Sequence, residues 1–154
     1  MHSRIFQVSM TPIKEIDYIT ESDYDYEHWF CREIADYVVE SDDRNADIEW
    51  LKNCTKGLLF DKDKYGNYFI VKSKEDYFAS RFEVFKNVLD TMKECTIEDF
   101  ASGILGMWSL SNAYEEKFGF YVDADGEVIT FDSFVRKCAA NEKYYIGNTL
   151  DYHC

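Results

Sequence analysis

The chain has 154 residues, 46% of them hydrophobic and 18% aromatic, which is enough apolar material for one domain with one core. Its net charge is −13, and such a surface repels nucleic-acid phosphates and anionic lipids, so neither nucleic acid nor a membrane surface is an expected partner. No apolar run reaches the roughly 18 residues of a membrane helix, and residues 1–10 lack the apolar centre of a signal peptide.

The cysteines argue against a secreted, disulfide-bonded protein. Their number is odd and no Cys-x-x-Cys spacing occurs, whereas secreted frameworks are usually even and denser. We interpret them as reduced thiols of a cytoplasmic protein, and their spacing singles out no reactive one. They are Cys31, Cys54, Cys95, Cys138 and Cys154.

The first half of the chain predicts a strand, two helices and a hairpin. Polar and apolar residues alternate over Ser3–Ser9, which is typical of a strand. An apolar stripe within Glu27–Val39 favours a helix, and a second, short helix is predicted over Asp43–Thr55 and ended by Gly57. Its predicted inward residues are Ile48, Leu51 and either Cys54 or Thr55. The hairpin strands are predicted at Gly57–Phe60 and Asn67–Lys72.

Two helix-start signals follow. Ser73 resembles the first residue of a capping box and predicts a long helix to Lys93. One face of this helix is apolar, with Tyr77, Phe78, Phe82, Phe85, Val88, Leu89 and Met92. Thr96 repeats the start signal, and the helical phase of Ile97, Phe100, Ala101, Ile104, Leu105 and Trp108 predicts a helix that breaks after Trp108. A short further segment is expected to reach Lys117.

The C-terminal part predicts two hairpins around a short helix. Phe118–Val122 and Glu127–Thr130 flank an Asp- and Gly-containing turn. Asp132 is the expected cap of a helix whose inward residues are Phe131, Phe134, Val135 and Cys138. A last hairpin is predicted around Gly147-Asn148, with strands at Lys143–Ile146 and Thr149–His153.

Together these elements predict one domain of α+β class. We expect an antiparallel sheet of about five to seven strands, built from hairpins, with three to five helices packed against one of its faces.

Three strings carry a resemblance to known proteins: SRIFQVS (Ser3–Ser9), KFGFYV (Lys117–Val122) and KYYIGNTLDYH (Lys143–His153). They resemble a group of small, uncharacterised acidic proteins from gut clostridia. This resemblance implies a bacterial cytoplasmic protein and implies no activity.

No pattern predicts a cofactor or a metal. The phosphate-binding, nucleophile-elbow and zinc-protease motifs are all missing from the sequence. Asp61–Asn67 imitates the start of a calcium loop but lacks its ligands at the fifth and twelfth positions, so a turn is preferred. His28 and Cys31 have a ligand-like spacing without a second pair, so we expect no metal site.

The excess acid is concentrated in one segment. Residues 15–49 hold 13 of the 30 acidic residues and only two of the 17 basic ones, so this segment carries 11 of the 13 net negative charges. Carboxylates alternate with other residues over Glu21–Glu27, and an extended chain there would place four carboxylates along one side and tyrosines on the other. A solvated acidic face without any partner is the simpler explanation, because water and salt screen such charges cheaply.

The functional hypothesis is a non-enzymatic protein whose segment 15–49 binds a basic protein partner, in its sharpest version as a mimic of nucleic acid. The expected contact residues are Asp17, Tyr18, Glu21, Asp23, Tyr24, Asp25, Tyr26, Glu27 and Trp29. Two alternatives stay open: a small hydrolase or transferase with an unrecognised pocket, and a structural or regulatory subunit that assembles through Lys143–His153.

Overall fold

The computed structural model describes residues 1–103 and 106–154, which form one mixed sheet flanked by helices. The strands are β1 (His2–Ser9), β2 (Tyr37–Glu40), β3 (Leu58–Asp63), β4 (Gly66–Val71), β5 (Tyr121–Ala124), β6 (Glu127–Thr130) and β7 (Lys143–His153). The α-helices are α1 (Trp29–Glu33), α2 (Arg44–Cys54), α3 (Lys74–Lys93), α4 (Ile97–Ser102), α5 (Gly106–Tyr114) and α6 (Phe131–Lys137). Short 3₁₀ turns occur at Glu15–Asp17 and Glu21–Asp23.

The sheet confirms the predicted α+β class. Its strand order is β3-β4-β7-β1-β5-β6, and β2 pairs with β7 on the same side as β4. The β1–β5 pair is parallel and the other pairs are antiparallel, so the sheet is mixed. Because β1 and β5 are parallel, their carboxyl ends lie side by side at the same end of the sheet.

The predicted C-terminal hairpin is wrong, because Lys143–His153 is one continuous strand. Gly147 and Asn148 do not turn the chain. They form a bulge, in which the register with β1 shifts between the pairs Phe6–Thr149 and Val8–Ile146. Strand β7 pairs with β1 on one side and, on the other, with β4 at its start and with β2 at its end, so most of both its edges are already occupied.

The predicted helix over Glu27–Val39 is correct only in its first part. Helix α1 covers Trp29–Glu33, and Tyr37–Glu40 is strand β2, whose Tyr37 pairs with His153. Within β2 Val38 is buried while its neighbours Tyr37 and Val39 are exposed, as expected when successive side chains point to opposite faces of a sheet. Pairing with β7 therefore outweighed the helical stripe that the sequence suggested.

Helical segments cover both faces of the sheet, where the sequence suggested one. On one face, α2, α3 and α6 pack over a core that includes Phe6, Phe69 and Phe131. On the other face, a core around Phe30 and Tyr152 lies beneath residues 19–35. The acidic segment thus contributes its inward-facing apolar side chains to this second core.

Most other elements agree with the sequence. Helix α2 is confirmed with Ile48 and Leu51 buried, whereas Cys54 is exposed and Thr55 is half-buried. Helix α3 is confirmed, with the Ser73 side chain accepting from the amide of Asp76. Both inner hairpins are confirmed as well, and in the second the turn residues Asp125 and Gly126 have the positive φ of 54° and 86° that such a tight turn needs.

Two local predictions are corrected. The helix that begins after Thr96 ends at Ser102 and is followed by Gly103, whose φ is +98°. The expected break after Trp108 is wrong, because Trp108 lies inside α5. Ile104 and Leu105 are outside the described residues. The cap of α6 is Thr130, while Asp132 is a buried residue of its first turn. None of the helices in the described ranges is both long and apolar enough to cross a membrane.

Candidate functional site

A cleft of about 620 Å³ opens where β1 and β5 end side by side. One wall is the chain that leaves β1, from Thr11 to Ile19, and another is the β5–β6 turn with Asp125 and Gly126. Polar groups at the carboxyl ends of parallel strands commonly line binding crevices, because the chain diverges there and leaves a depression. The acidic segment lies on the same face of the sheet as the cleft and lines part of it.

The floor of the cleft is a buried carboxylate held by two hydrogen bonds. Asp123 accepts from the hydroxyl of Tyr24 at 2.7 Å and from the amide of Gly126 at 2.9 Å. Burial, together with the negative charge of Asp123, raises the pKa of the Tyr24 phenol far above its ordinary value. Tyr24 therefore stays protonated and acts as a fixed donor that ties the acidic segment to β5.

Gln7 and Asn148 attach the acidic segment to the bulge between β1 and β7. The Gln7 amide donates to the carbonyl of Asp17 at 2.7 Å, and its oxygen accepts from the amides of Ile19 and Asn148. The Asn148 side chain in turn donates to the carbonyl of Ile19 at 2.8 Å and to Glu40 at 3.0 Å. Four of these hydrogen bonds hold the segment over the sheet, and the fifth joins Asn148 to Gln7.

The structure brings four of the nine predicted contact residues into the cleft, namely Asp17, Tyr18, Asp23 and Tyr24. The extended arrangement considered for Glu21–Glu27 does not occur, because Glu21–Asp23 is a 3₁₀ turn. Tyr24 is buried, which corrects its assignment as a contact residue. The other expected contact residues outside the cleft are exposed: Glu21, Asp25, Tyr26, Glu27 and Trp29.

Two of the predicted contact carboxylates also have local structural roles. Asp23 accepts from the amide and hydroxyl of Thr20, closing a capping box at the 3₁₀ turn. Asp25 accepts from the amides of Glu27 and His28 at 2.9 and 3.0 Å. Replacing either residue would change the backbone as well as the charge, so neither is a clean probe of binding.

We define the acidic surface as residues 15–40, since the remainder of the acidic segment lies elsewhere. Helix α2 belongs to the opposite face, and its Asp47 is buried. The acidic surface holds nine exposed carboxylates, and among the described residues only Asp36 of these has an ion-pair partner, His153. The described residues that line the cleft include no lysine or arginine.

His28 is the group in the cleft that most resembles a catalytic residue. Its Nδ1 accepts from the amide of Phe30 at 3.2 Å, and its ring lies 5.0 Å from that of Tyr24. In the described ranges it forms no hydrogen bond with a serine, threonine or cysteine, so the arrangement of a nucleophile and its base is not displayed there. Residues 1–103 and 106–154 also hold no group of three His, Cys, Asp or Glu side chains placed to bind a metal ion.

No family model matches this chain, and neither a curated protein nor a solved structure is significantly similar to it.

Sequence reasoning missed the cleft residues Gln7, Asp123 and Asp125, and it missed Asn148, which attaches the acidic segment to β7. Asp123 and Asp125 were interpreted as turn residues only, and Gly147-Asn148 as the tip of a hairpin. A usable signal was present: Gln7 interrupts the apolar run Ile5–Val8 and shares a strand face with Ile5, and an inward polar residue on a strand requires a partner.

Proposed function

We propose that the protein is a non-enzymatic interaction protein, and that its acidic surface binds a basic segment of a partner protein. The observation that supports this most is the set of nine exposed carboxylates, eight of them without an ion-pair partner in the described part of the chain. Opposite charge on a partner would speed the encounter and select against acidic competitors.

The cleft offers a place for one cationic side chain. Asp17, Asp23 and Asp125 line the cleft with exposed carboxylates, and its volume of about 620 Å³ exceeds what a lysine or arginine side chain requires. Because the fixed Tyr24–Asp123 pair holds the floor in place, a guanidinium or ammonium would enter a site that needs little rearrangement.

Exposed apolar side chains beside the carboxylates add to this argument. Ile16 is 89% exposed and Tyr26 is 82% exposed, although both belong to a segment whose backbone is held by the sheet. Interfaces combine such apolar contacts with a charged rim, and aromatic residues are enriched among the strongest contacts. A purely solvated acidic face has no need of them.

The test uses three carboxylates that cap no turn in the structure. Asp17→Lys, Glu21→Lys and Glu27→Lys are combined in one variant, and capture of proteins from a lysate at low salt is compared with wild type. We expect wild type to retain a basic partner that moderate salt releases, and the variant to bind that partner roughly tenfold more weakly or worse.

A matched control carries the same change in net charge elsewhere. Glu94→Lys, Glu98→Lys and Glu142→Lys alter three exposed residues outside the acidic surface and should leave capture nearly unchanged. Equal loss in both variants would mean that only the net charge matters. Capture that survives in the first variant would refute the proposal.

If the protein is a mimic of nucleic acid, the captured partner allows a separate test. If the partner uses its nucleic-acid-binding surface, duplex DNA and this protein compete for it, and added DNA releases the captured partner. Retention of the partner in saturating DNA would leave the acidic surface as a binding site but rule out mimicry.

A further inference from the structure

Two histidines that are far apart in sequence lie side by side where β1 begins and β7 ends. In the antiparallel β1–β7 pair, His2 is directly opposite His153. Their ring centroids are 5.0 Å apart, and the ring planes form an angle of 69°. Both side chains reach solvent, with 56% of His2 and 34% of His153 exposed. Directly opposed residues have the closest side chains of an antiparallel pair, so strand pairing itself keeps the two imidazoles together.

Each of the two rings is oriented by a carboxylate. Nδ1 of His2 lies 3.0 Å from an oxygen of Asp151, and Nδ1 of His153 lies 2.9 Å from an oxygen of Asp36. The Tyr37 ring also stacks on that of His153, with centroids 5.3 Å apart and planes at 7°. When the imidazole is neutral, a carboxylate that accepts from Nδ1 leaves the lone pair on Nε2. This is the arrangement found behind most histidines that bind a metal through Nε2.

The separation of the rings matches shared ligation of one ion. A metal–nitrogen bond of about 2.0–2.1 Å places the centroid of a ligating imidazole roughly 3.2 Å from the ion. Two such rings, at bond angles from about 90° in a square-planar ion to about 109° in a tetrahedral one, have centroids roughly 4.5–5.2 Å apart. The observed 5.0 Å lies within this range, so little movement of either ring is required.

The surroundings of the pair are compatible with a cation. Asp36 and Asp151 flank the rings, although Asp151 also pairs with Arg4 at 3.0 Å. Nε2 of His153 contacts the nitrogen of Met1 at 3.2 Å, and an entering ion would replace this exposed hydrogen bond. Its loss costs little, because water satisfies an exposed donor.

We propose that His2 and His153 form a two-histidine site for a divalent transition-metal ion of the nickel, copper and zinc group. These ions prefer imidazole nitrogen, whereas magnesium and calcium prefer oxygen. No third His, Cys, Asp or Glu side chain is placed to join the pair in residues 1–103 and 106–154, so water completes the coordination and the ion exchanges readily. The bound ion links β1 to β7, independently of what the acidic surface binds.

The test is calorimetric titration of the full-length protein with nickel chloride. Excess magnesium chloride is present, so that magnesium occupies the carboxylates of the acidic surface. We expect one nickel ion per chain. His2→Gln and His153→Gln should each weaken binding at least tenfold, since even the loss of a group that only orients a metal-binding histidine typically costs about that much.

His28→Gln is the matched control, because it removes the third histidine of the sequence, which lines the cleft. It should bind nickel like wild type, and circular dichroism should show all three variants folded. Wild type that binds no nickel would overturn the proposal. So would undiminished binding by His153→Gln, since the first residues of β1 would then hold the ion without β7.

A second measurement needs no substitution at the site. Substoichiometric copper(II) broadens nuclear magnetic resonance signals close to the bound ion, and in wild type it should broaden the imidazole signals of His2 and His153 together. The signals of His28 should persist. Broadening of one ring of the pair alone, or of His28 to the same extent, would contradict a shared site.

Discussion

At the scale of single residues, Asp47 shows how an acidic segment can also supply a structural carboxylate. It is buried, and it accepts from Arg4 Nε at 2.5 Å, from Thr149 at 2.7 Å and from the Ser41 hydroxyl. These contacts join α2 to β1 and β7. Glu49, the other acidic residue of α2, is exposed, so this helix has one buried, structural carboxylate and one that faces solvent.

Asp47→Asn should therefore be strongly destabilising. The change removes one of the two carboxylates paired with the half-buried Arg4 and disturbs two hydroxyl donors, and breaking a buried ion pair typically costs about 3–5 kcal/mol. We expect a loss near 3 kcal/mol in the free energy of unfolding, measured with urea. Glu49→Gln on the same helix is the control and should change it by less than about 0.5 kcal/mol, since Glu49 is exposed.

The cysteines should differ in reactivity according to their burial. Burial raises the pKa of the Cys31, Cys138 and Cys154 thiols, which lowers their thiolate fraction at neutral pH. Cys54 and Cys95 are exposed. In brief iodoacetamide treatment of the folded protein, peptide mass spectrometry should find Cys54 and Cys95 modified first. Faster modification of Cys31 would reveal a reactive thiol that the structure does not explain.

At the scale of elements, the bulge between β1 and β7 determines where the acidic surface lies. A Cβ at Gly147 would come within 2.3 Å of the Gln7 side-chain oxygen. The same oxygen accepts from Ile19 and Asn148, so displacing it would release the acidic segment. The position of the acidic surface thus depends on the absence of a side chain at Gly147 of β7.

Gly147→Ala should destabilise the protein by about 1–3 kcal/mol, the usual range for forcing atoms into a packed site. Hydrogen exchange should increase at the amide of Ile19. The double variant Gly147→Ala with Gln7→Ala should lose less stability than the sum of the two single variants, because shortening Gln7 removes the clash. Strict additivity would show that the two residues are not coupled.

The capping box of α4 links its stability to pH. The amide and hydroxyl of Thr96 hydrogen-bond to Asp99 and lower its pKa. A lowered pKa in the folded state means that the stabilisation is present above the unfolded pKa of about 3.9 and is lost as the pH falls through the folded value. Unfolding monitored between pH 5 and pH 2 should show a smaller acid dependence in Asp99→Asn than in wild type. If Asp99→Asn and wild type depend on acid equally, the Thr96–Asp99 capping box does not contribute to the pH dependence of stability.

At the scale of the whole molecule, the charge distribution predicts an unusual response to salt. Nine exposed carboxylates share the acidic surface, and their mutual repulsion opposes the compact state. Because the Debye length falls to about 8 Å at physiological ionic strength, added salt screens this repulsion. The melting temperature should therefore rise when sodium chloride is added to a low-salt buffer, as measured by calorimetry.

The variant Asp17→Lys, Glu21→Lys, Glu27→Lys should show a smaller rise with salt than wild type, and it should be the more stable of the two at low salt. A melting temperature that falls with salt would mean that favourable ion pairs, not repulsion within the acidic surface, dominate the electrostatics.

Local patterns in the sequence were enough to predict most of the individual helices, strands and turns. Alternation predicted β1, the capping residues Ser73 and Thr96 predicted the starts of α3 and α4, and Asp125-Gly126 predicted a turn. These features depend on backbone conformation and on hydrogen bonds within a few residues, so the information is local. The concentration of acid in residues 15–49 was equally visible in the sequence.

The predictions failed where distant segments decide the outcome. Tyr37–Glu40 became a strand because β7 offered it an edge, and Gly147-Asn148 became a bulge because Gln7 and β1 face it. The cleft also exists only through pairing, since β1 and β5 are more than a hundred residues apart in sequence and meet in parallel. Composition and local propensity determined the class of the fold and the sign of its surface. Only long-range pairing decided which carboxylates stay exposed and which, like Asp47 and Asp123, are buried and hydrogen-bonded, because the cost of burying a charge depends on partners that the folded chain alone supplies.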